Sequence, residues 1–183
     1  MSYAIVRNEK LTRKQAHGIS VHNDRKAKKH SNNEIDISKS HLNYYIKKNE
    51  LNYIKEFDKT KKKYNLQGQI RSNSIIICEL IFTSDLEFFN KIGDVETKRY
   101  FEESYKFICD YKKLSEKYII SAVVHLDETT PHMHLAYVPV IKTTDKKVKI
   151  QIKFVVEIFG KAKIVIENYK MIITTILLQK DSN

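Results

Sequence analysis

Several residue types are scarce in this 183-residue chain, and each shortage excludes a class of protein. There is no tryptophan, and only four glycines and two prolines are present. This composition argues against a collagen-like fibre, a repeat array and a Gly/Pro-rich disordered segment. No apolar run approaches the roughly 20 residues that a membrane-spanning helix needs, so no stable membrane association is expected. An ordinary globular protein with one core remains.

Cysteine is equally sparse. Cys78 and Cys109 lie far apart and outside any CxxC spacing, which disfavours a disulfide scaffold and a zinc knuckle. The N-terminal stretch MSYAIVRNEKL has no cationic segment followed by an apolar one, as a secretory signal would have. We therefore expect a cytoplasmic protein with reduced thiols.

Positive charge dominates, with a formal net charge of +11. Residues 1 to 65 hold 16 Lys and Arg against 7 Asp and Glu, a net charge of +9 in about a third of the chain. A solvated surface position explains any single lysine equally well. The total positive charge on this one segment, however, favours a polyphosphate partner such as nucleic acid.

The apolar pattern predicts an α+β domain with a mainly antiparallel sheet and helices packed on one face. Alternation predicts a first strand in SYAIVRNEKL, and residues 12 to 40 are predicted to form a long ordered loop with short helical turns. Helical spacing predicts a helix from residue 40 to 63.

The second half of the pattern predicts three more strands and one more helix. NSIIICELIFTS is a buried strand, followed by a helix over about residues 86 to 115 that Gly93-Asp94 interrupts. YIISAVVHLD and HMHLAYVPV are strands that the short ETTP connection joins as an antiparallel pair.

The stretch HLDETTPHMH, residues 125 to 134, contains three of the seven histidines. Side chains alternate along a strand, so His132 and His134 share a face about 7 Å apart. A hairpin would bring His125 beside them. Three neutral imidazoles on one face leave positions open for water or substrate, which favours a catalytic metal site over a closed structural one.

Two carboxylates lie in the same stretch. Asp127 and Glu128 either give the turn its polarity, or orient an imidazole, coordinate the metal or transfer protons. Glu128 is favoured for the second role because adjacent side chains near a strand end point in opposite directions. The HxxExxxHxH spacing matches neither HExxH nor HxxEH, which disfavours a zincin-type protease. Imidazole-rich sites take several transition metals, so the spacing does not name the metal.

The chain resembles the MobV-type plasmid mobilisation relaxases, also called Pre/Mob plasmid recombination proteins, of the HUH endonuclease group. The matching segments follow the family's order over residues 1 to about 142: MSYAIVR, VHNDRKAKKHSN, SHLNYYI, IRSNSIIICELIFTSD and HLDETTPHMHLAYVPV. The resemblance implies an endonuclease that nicks one DNA strand at a plasmid origin of transfer. It also implies a divalent ion, commonly manganese, with magnesium or another divalent ion as alternatives. The implied ligands are His125, His132 and His134, with Glu128 beside the ion.

The family's HxxR motif maps to His22 and Arg25. The resemblance implies that His22 is the catalytic nucleophile, which becomes joined to the 5′ phosphate, with Glu128 as the second catalytic residue. From the residues alone, His17 and His30 are equally plausible, since all three lie in one basic segment.

Tyrosine is the nucleophile in most other HUH enzymes, so Tyr44 or Tyr45 is the reserve candidate. Tyr44 is alternatively expected to bind DNA by stacking on a base, or to pack against the sheet. Arg25 and Arg71 are expected to contact phosphate oxygens, because the guanidinium fork suits that anion.

The resemblance ends near residue 142, which predicts a relaxase domain over residues 1 to 142 and a divergent tail over residues 143 to 183. The family continues through a helix with an LQDxYxxY-like pattern. AT-rich codons for the tail, read in another frame, give SGDIWESKNSYRKLQDDYYNYITTKRF, so we hypothesise a frameshift near residues 143 to 155. The alternative is a genuine β-prone tail.

The implied partner is plasmid DNA at the origin of transfer, either single-stranded or as a hairpin. Full-length relatives can form homodimers through a C-terminal half that this chain lacks. Two other functions stay open: a rolling-circle replication initiator, and a truncated origin-binding protein without catalytic activity.

Overall fold

The computed structural model describes residues 4–27, 32–110, 114–142 and 148–150. The strands are β1 (Ile5–Thr12), β2 (Tyr44–Lys47), β3 (Ile75–Thr83), β4 (Ile119–His125), β5 (His132–Tyr137), β6 (Val140–Lys142) and β7 (Val148–Ile150). The helices are α1 (Arg13–Asn23), α2 (Tyr53–Lys63) and α3 (Leu86–Asp110), with 3-10 turns at Ile37–Leu42 and Glu116–Tyr118. Strands β1 to β5 form one antiparallel sheet in the order β1-β3-β5-β4-β2, and β6 pairs with β7.

The sheet is covered on both faces. Along β3, Cys78 and Leu80 belong to an apolar cluster that α3 completes, whereas Ile77 belongs to a second cluster with residues of α1 and α2. The α+β class and the antiparallel sheet are confirmed, but the expected placement of all helices on one face is wrong. The central strands carry apolar side chains on both faces, as the nearly continuous run IIICELIF indicates, so both faces need cover.

The segment expected to be a long loop contains an 11-residue helix, α1. Its buried face consists of Ala16, Ser20 and Asn23. These residues have helical spacing, but they are small or polar, so the spacing of large apolar residues does not predict this helix. The signal that was available is the Thr12-x-x-Gln15 pair: the Gln15 Oε1 atom accepts a hydrogen bond from the Thr12 N–H at 3.0 Å, as in a capping box.

The helix predicted over residues 40 to 63 is wrong in its first half. Tyr44–Lys47 forms the edge strand β2, and Tyr44 pairs with Val124 of β4. Aromatic and β-branched residues favour strands, and pairing with a buried neighbour overrides the local helical spacing. The helix begins only at Tyr53, after Asn52, whose side chain accepts a hydrogen bond from the Lys55 N–H.

The helix after β3 has the predicted interruption. Gly93 adopts φ 76° and ψ 176°, a conformation that residues with a Cβ atom rarely adopt. The bend packs Phe88 and Phe89 against Tyr100, with ring centroids about 5.6 Å apart. Helical structure ends at Asp110; residues 111–113 of the predicted helix lie outside the described part.

The predicted β4–β5 hairpin is confirmed, and its register determines which residues lie opposite the histidines. His125 lies opposite His132, and His134 lies opposite Val123 of β4 and Ile81 of β3. Across the described ranges, no helix combines the length and the apolar content needed to cross a membrane.

The bend at Gly93 yields a stability prediction. Substitution Gly93→Ala forces an L-residue into a region almost confined to glycine, so we expect the free energy of unfolding to fall by about 1–3 kcal/mol. The control is Gly18→Ala in the interior of α1, where an added Cβ meets nothing within 4 Å. This control is expected to be neutral or stabilising by about 0.5–1 kcal/mol. Urea titration measures both, and equal effects would contradict the account of the bend.

Candidate metal centre

Three imidazoles meet where β4 ends and β5 begins, on the sheet face that α1 covers. The ring centroids of His125, His132 and His134 lie 4.9 to 5.3 Å from one another. We call these three residues the three-histidine cluster. The strand register places them together, because residues two apart on β5 share a face and His125 is the partner of His132 across the hairpin.

Hydrogen bonds orient two of these rings. The Nε2 atom of His125 lies 3.0 Å from the carbonyl oxygen of Asn23, and the Nδ1 atom of His132 lies 2.8 Å from that of Thr130. A carbonyl only accepts, so these two nitrogens carry the protons. The opposite nitrogens, Nδ1 of His125 and Nε2 of His132, therefore keep their lone pairs for another partner.

A carboxylate that sequence reasoning did not assign orients the third ring. Glu79 of β3 is fully buried, and its Oε1 atom lies 3.2 Å from Nδ1 of His134. Burial would raise the pKa of Glu79, but His134 and a hydrogen bond from Asn23 outweigh it and the pKa is lowered. The available signal was a single carboxylate inside the otherwise apolar strand IIICELIFT. A buried charge of this kind needs partners, and a histidine ligand is a typical one.

The nitrogens left over fit a metal ion. Within the described part of the chain, Nδ1 of His125 and both ring nitrogens of His134 are buried and have no hydrogen-bond partner, although Nδ1 of His134 lies 3.2 Å from Glu79. Buried acceptors without partners are costly, and a cation would satisfy Nδ1 of His125 and Nε2 of His134. Imidazole nitrogens gathered on one sheet face are the usual surroundings of a transition-metal ion. The cluster could therefore hold Mn²⁺ or a similar divalent ion.

The electrostatics keep the imidazoles of His125 and His132 neutral, as metal binding requires. Burial, together with His134 and Arg25, lowers the pKa of His125 to about 2. Burial and the neighbouring His134 also lower the pKa of His132. Both rings therefore have a free lone pair at physiological pH.

Glu128 and Asp127 lie beside the cluster in different roles. The Oε1 atom of Glu128 is 3.9 Å from Nδ1 of His125 and 3.7 Å from Nε2 of His132, so it could complete a ligand set. Asp127 instead binds the Arg25 guanidinium through both oxygens, at 2.6 and 2.9 Å. Burial would raise the pKa of Asp127, but the hydrogen bonds from Arg25 and Ser40 dominate and lower it.

Arg25 is occupied by acidic partners. Besides Asp127, its Nη2 atom donates to Glu128 at 2.6 Å, and its side chain is 11% exposed. Its backbone has φ 52°, in the left-handed region that usually takes glycine or asparagine after a helix. The predicted contact of Arg25 with phosphate stays a prediction; in this arrangement its guanidinium positions Glu128.

His22 joins the cluster from the last turn of α1. Its ring centroid is 5.8 Å from those of His125 and His134, and its Nε2 atom lies 3.3 Å from Nη1 of Arg25. Its side chain is 33% exposed, against 0%, 15% and 7% for the three cluster histidines. Burial and the nearby Arg25 lower the pKa of His22, so its imidazole is neutral.

Other predicted site residues lie away from the cluster. Tyr44 packs against the core on the α3 face, and Tyr45 donates from its hydroxyl to Asp24 at 3.0 Å. Arg71 is exposed in the turn before β3, at the end of that strand remote from the histidines. His17 is exposed on α1, and His30 lies outside the described residues.

Comparisons with known proteins agree with one another. The family model of the plasmid recombination enzymes, Mob_Pre, matches residues 1–164. A plasmid recombination enzyme of Lactiplantibacillus plantarum is 37% identical over 147 residues, which cover 76% of this chain and 38% of the relative. Another from a Bacillus species is 39% identical over 143 residues, covering 76% and 34%. This chain thus spans less than half the length of the curated relatives it matches.

A solved structure extends the likeness to the fold. It is the MobM relaxase domain with Mn bound, in complex with oriT DNA of plasmid pMV158. The two chains superpose with a TM-score of 0.68 at 34% identity, and the match covers 75% of this chain and 70% of the other.

Sheet and site together define a protein of the relaxase fold that gathers four histidines on one sheet face. The chain belongs to the plasmid recombination enzyme family, Mob_Pre, whose model covers most of its length. The resemblance to MobV-type relaxases is thereby confirmed.

The geometry of the cluster predicts where metal affinity resides. Substitution His125→Ala removes a candidate ligand that is 0% exposed, and we expect Mn²⁺ affinity to fall by at least about 100-fold. The control is His41→Ala: this exposed histidine contacts only the local carbonyl of Ser38 among the described atoms, so the affinity should not change. Calorimetric Mn²⁺ titration of folded proteins measures both. Equal affinities for His125→Ala and the wild type would remove His125 from the ligand set.

Proposed function

We propose that this chain is a metal-dependent relaxase domain that nicks one strand of plasmid DNA at its origin of transfer and becomes covalently joined to the 5′ phosphate. The proposed ligands are His125, His132 and His134, and the proposed ion is Mn²⁺, with Mg²⁺ or another divalent ion as alternatives. The Mn-bound, DNA-bound MobM relaxase domain supports both the metal and the substrate. A cytoplasmic location is part of the proposal, because plasmid DNA is found there.

The observation that carries this proposal is the position of His22. It is the most exposed of the four gathered histidines, and it lies 5.8 Å, centroid to centroid, from two members of the cluster. A nucleophile must reach a phosphate that the metal site holds, whereas ligands are best buried. Greater exposure supports His22 as the attacking residue, although its ring also lies close enough to His125 and His134 to share a metal ion with them.

The strand transfer balances as a single displacement at phosphorus. The neutral His22 imidazole attacks with a nitrogen lone pair, the P–O3′ bond breaks, and the leaving 3′ oxygen takes up the proton that the other imidazole nitrogen releases. A P–N bond to the 5′ phosphate replaces the lost ester, so a 3′-hydroxyl can later reverse the step. The lowered pKa of His22 keeps the lone pair available at physiological pH.

The other residues prepare this displacement. A bound divalent ion would polarise the phosphoryl oxygen and offset the charge that develops there. Glu79 and the two backbone carbonyls hold the ligand rings, and Arg25 holds Glu128 beside them. The basic N-terminal third would hold the DNA strand, with an affinity that falls as salt rises. Contacts of Arg71 and Tyr44 with DNA remain part of the proposal.

A labelled-strand assay tests the nucleophile. An origin strand labelled at its 3′ end should yield a labelled protein–DNA band on a denaturing gel in the presence of Mn²⁺. His22→Ala should reduce that band by at least about 100-fold while DNA binding persists. His17→Ala is the matched control, since it lies exposed on the same helix, and it should behave as the wild type.

The chemistry of the adduct separates the alternatives. A P–N adduct is labile to acid, whereas a tyrosine phosphodiester is not. An acid-stable adduct that survives His22→Ala would show that a tyrosine is the nucleophile. Tyr45 would then be a better candidate than Tyr44, because it lies on the sheet face that carries the histidines. DNA binding by the wild type without any adduct would instead support a non-catalytic origin-binding protein.

We further propose that the relaxase domain spans residues 1–142 and that residues 143–183 derive from a shifted reading frame. Matches to relatives covering 76% of the chain support the first part, although the family model extends to residue 164. The gene's nucleotide sequence tests the second part. It should encode an LQDxYxxY-like segment in another frame, and its absence from all frames would refute the frameshift.

A further inference from the structure

Asn23 lies at the centre of the site, although the displacement itself does not use it. It is the last residue of α1, directly after His22, and only 1% of its surface is exposed. We propose that Asn23 is a positioning residue that ties the helix carrying His22 to two of the three metal ligands, so that nucleophile and metal share one geometry. This inference rests on the metal-dependent function proposed above.

The main chain of Asn23 provides the first connection. Its carbonyl oxygen lies 3.0 Å from Nε2 of His125, a residue 102 positions away in sequence. The hydrogen bond leaves only Nδ1 of His125 to face the site. The C-terminal end of α1 therefore selects the ligand atom of a buried histidine on β4. This carbonyl is available because the last carbonyls of a helix lack partners within it.

The side chain of Asn23 provides the second connection. Its Nδ2 atom donates to Oε1 of Glu79 at 2.7 Å and to the Tyr53 hydroxyl at 3.0 Å. The same Oε1 atom of Glu79 lies 3.2 Å from Nδ1 of His134. Asn23 thus holds the carboxylate that lies beside the second proposed ligand, on the Nδ1 side of its ring.

The orientation of the amide follows from its neighbours. If the amide were turned by 180°, Oδ1 would face the Glu79 carboxylate, and two acceptors would meet without a proton. In the observed orientation, Oδ1 of Asn23 is buried and has no hydrogen-bond partner among the described residues. The side chain therefore leaves a buried acceptor unsatisfied while it donates to Glu79, which a packing role alone does not require.

Movement of the helix α1 is therefore coupled to the proposed metal site. Because Asn23 and His22 are adjacent in one turn of this helix, a displacement that moved His22 would also disturb His125 and Glu79. A substitution at Asn23 should therefore affect the metal site before any DNA is present. This distinguishes a positioning residue of the metal site from a residue that contacts DNA.

The test measures metal binding by the full chain, without DNA. Asn23→Ala removes both side-chain hydrogen bonds and keeps the backbone carbonyl, so Mn²⁺ affinity should fall by about 10–100-fold. Co²⁺ substituted for Mn²⁺ should show altered visible absorption bands, because the ring of His134 is no longer held. Asn49→Ala is the control, since this buried asparagine contacts Leu51 and Asp24 and none of the ligands; it should bind Mn²⁺ as the wild type does.

A pair of variants keeps the test decisive if Asn23→Ala does not fold. Asn23→Asp should abolish Mn²⁺ binding, because it places two carboxylates where a 2.7 Å hydrogen bond was. The paired variant Tyr53→Phe removes only the hydroxyl that accepts the other hydrogen bond of the Asn23 amide, at 3.0 Å, and leaves the hydrogen bond to Glu79 in place. It should bind Mn²⁺ as the wild type does.

The outcomes separate the two proposals. Tight wild-type binding with unchanged affinity in Asn23→Ala or Asn23→Asp, or an equal loss in Tyr53→Phe, overturns the role of Asn23 and leaves the relaxase function standing. Absence of Mn²⁺ binding by the wild type overturns the metal-dependent function, and this inference with it.

Discussion

The proposed metal site depends on one constraint: three imidazole rings must direct a lone pair at the same point, so each must carry its proton on the opposite nitrogen. Backbone carbonyls meet this requirement for His125 and His132, and the buried Glu79 carboxylate lies 3.2 Å from Nδ1 of His134. Burial keeps the first two rings neutral, because it disfavours the imidazolium form. Without these contacts, the three histidines would be buried polar side chains that lack hydrogen-bond partners, which destabilises a protein core.

The fold supplies those anchors from separate parts of the chain. The β4–β5 register aligns His125 with His132, β3 contributes Glu79 from a neighbouring strand, and the end of α1 closes the site from above the sheet. The helix α1 reaches the histidines because it packs against the sheet face opposite to the one that α3 covers. The partly exposed His22 then lies at the open side of the cluster, where the DNA strand would approach in the proposed function.

Local patterns in the sequence were enough to predict part of this arrangement. Alternation in HMHLAYVPV and the short connection before it were enough to predict a hairpin that aligns three histidines. Glu79 and Asn23 act through contacts that span 56 and 102 positions, and no local pattern encodes such contacts. The helix α1 was missed because its buried stripe is Ala, Ser and Asn, and β2 because pairing with β4 overrode helical spacing.

The most direct test of the central constraint is a crystal structure of the protein soaked in Mn²⁺, with anomalous scattering recorded to locate the ion. The account predicts one strong peak bonded to Nδ1 of His125 and to Nε2 of both His132 and His134, with Glu79 still beside the far nitrogen of His134. A peak bonded to Nε2 of His125, or a strong peak elsewhere with the cluster empty, would contradict it.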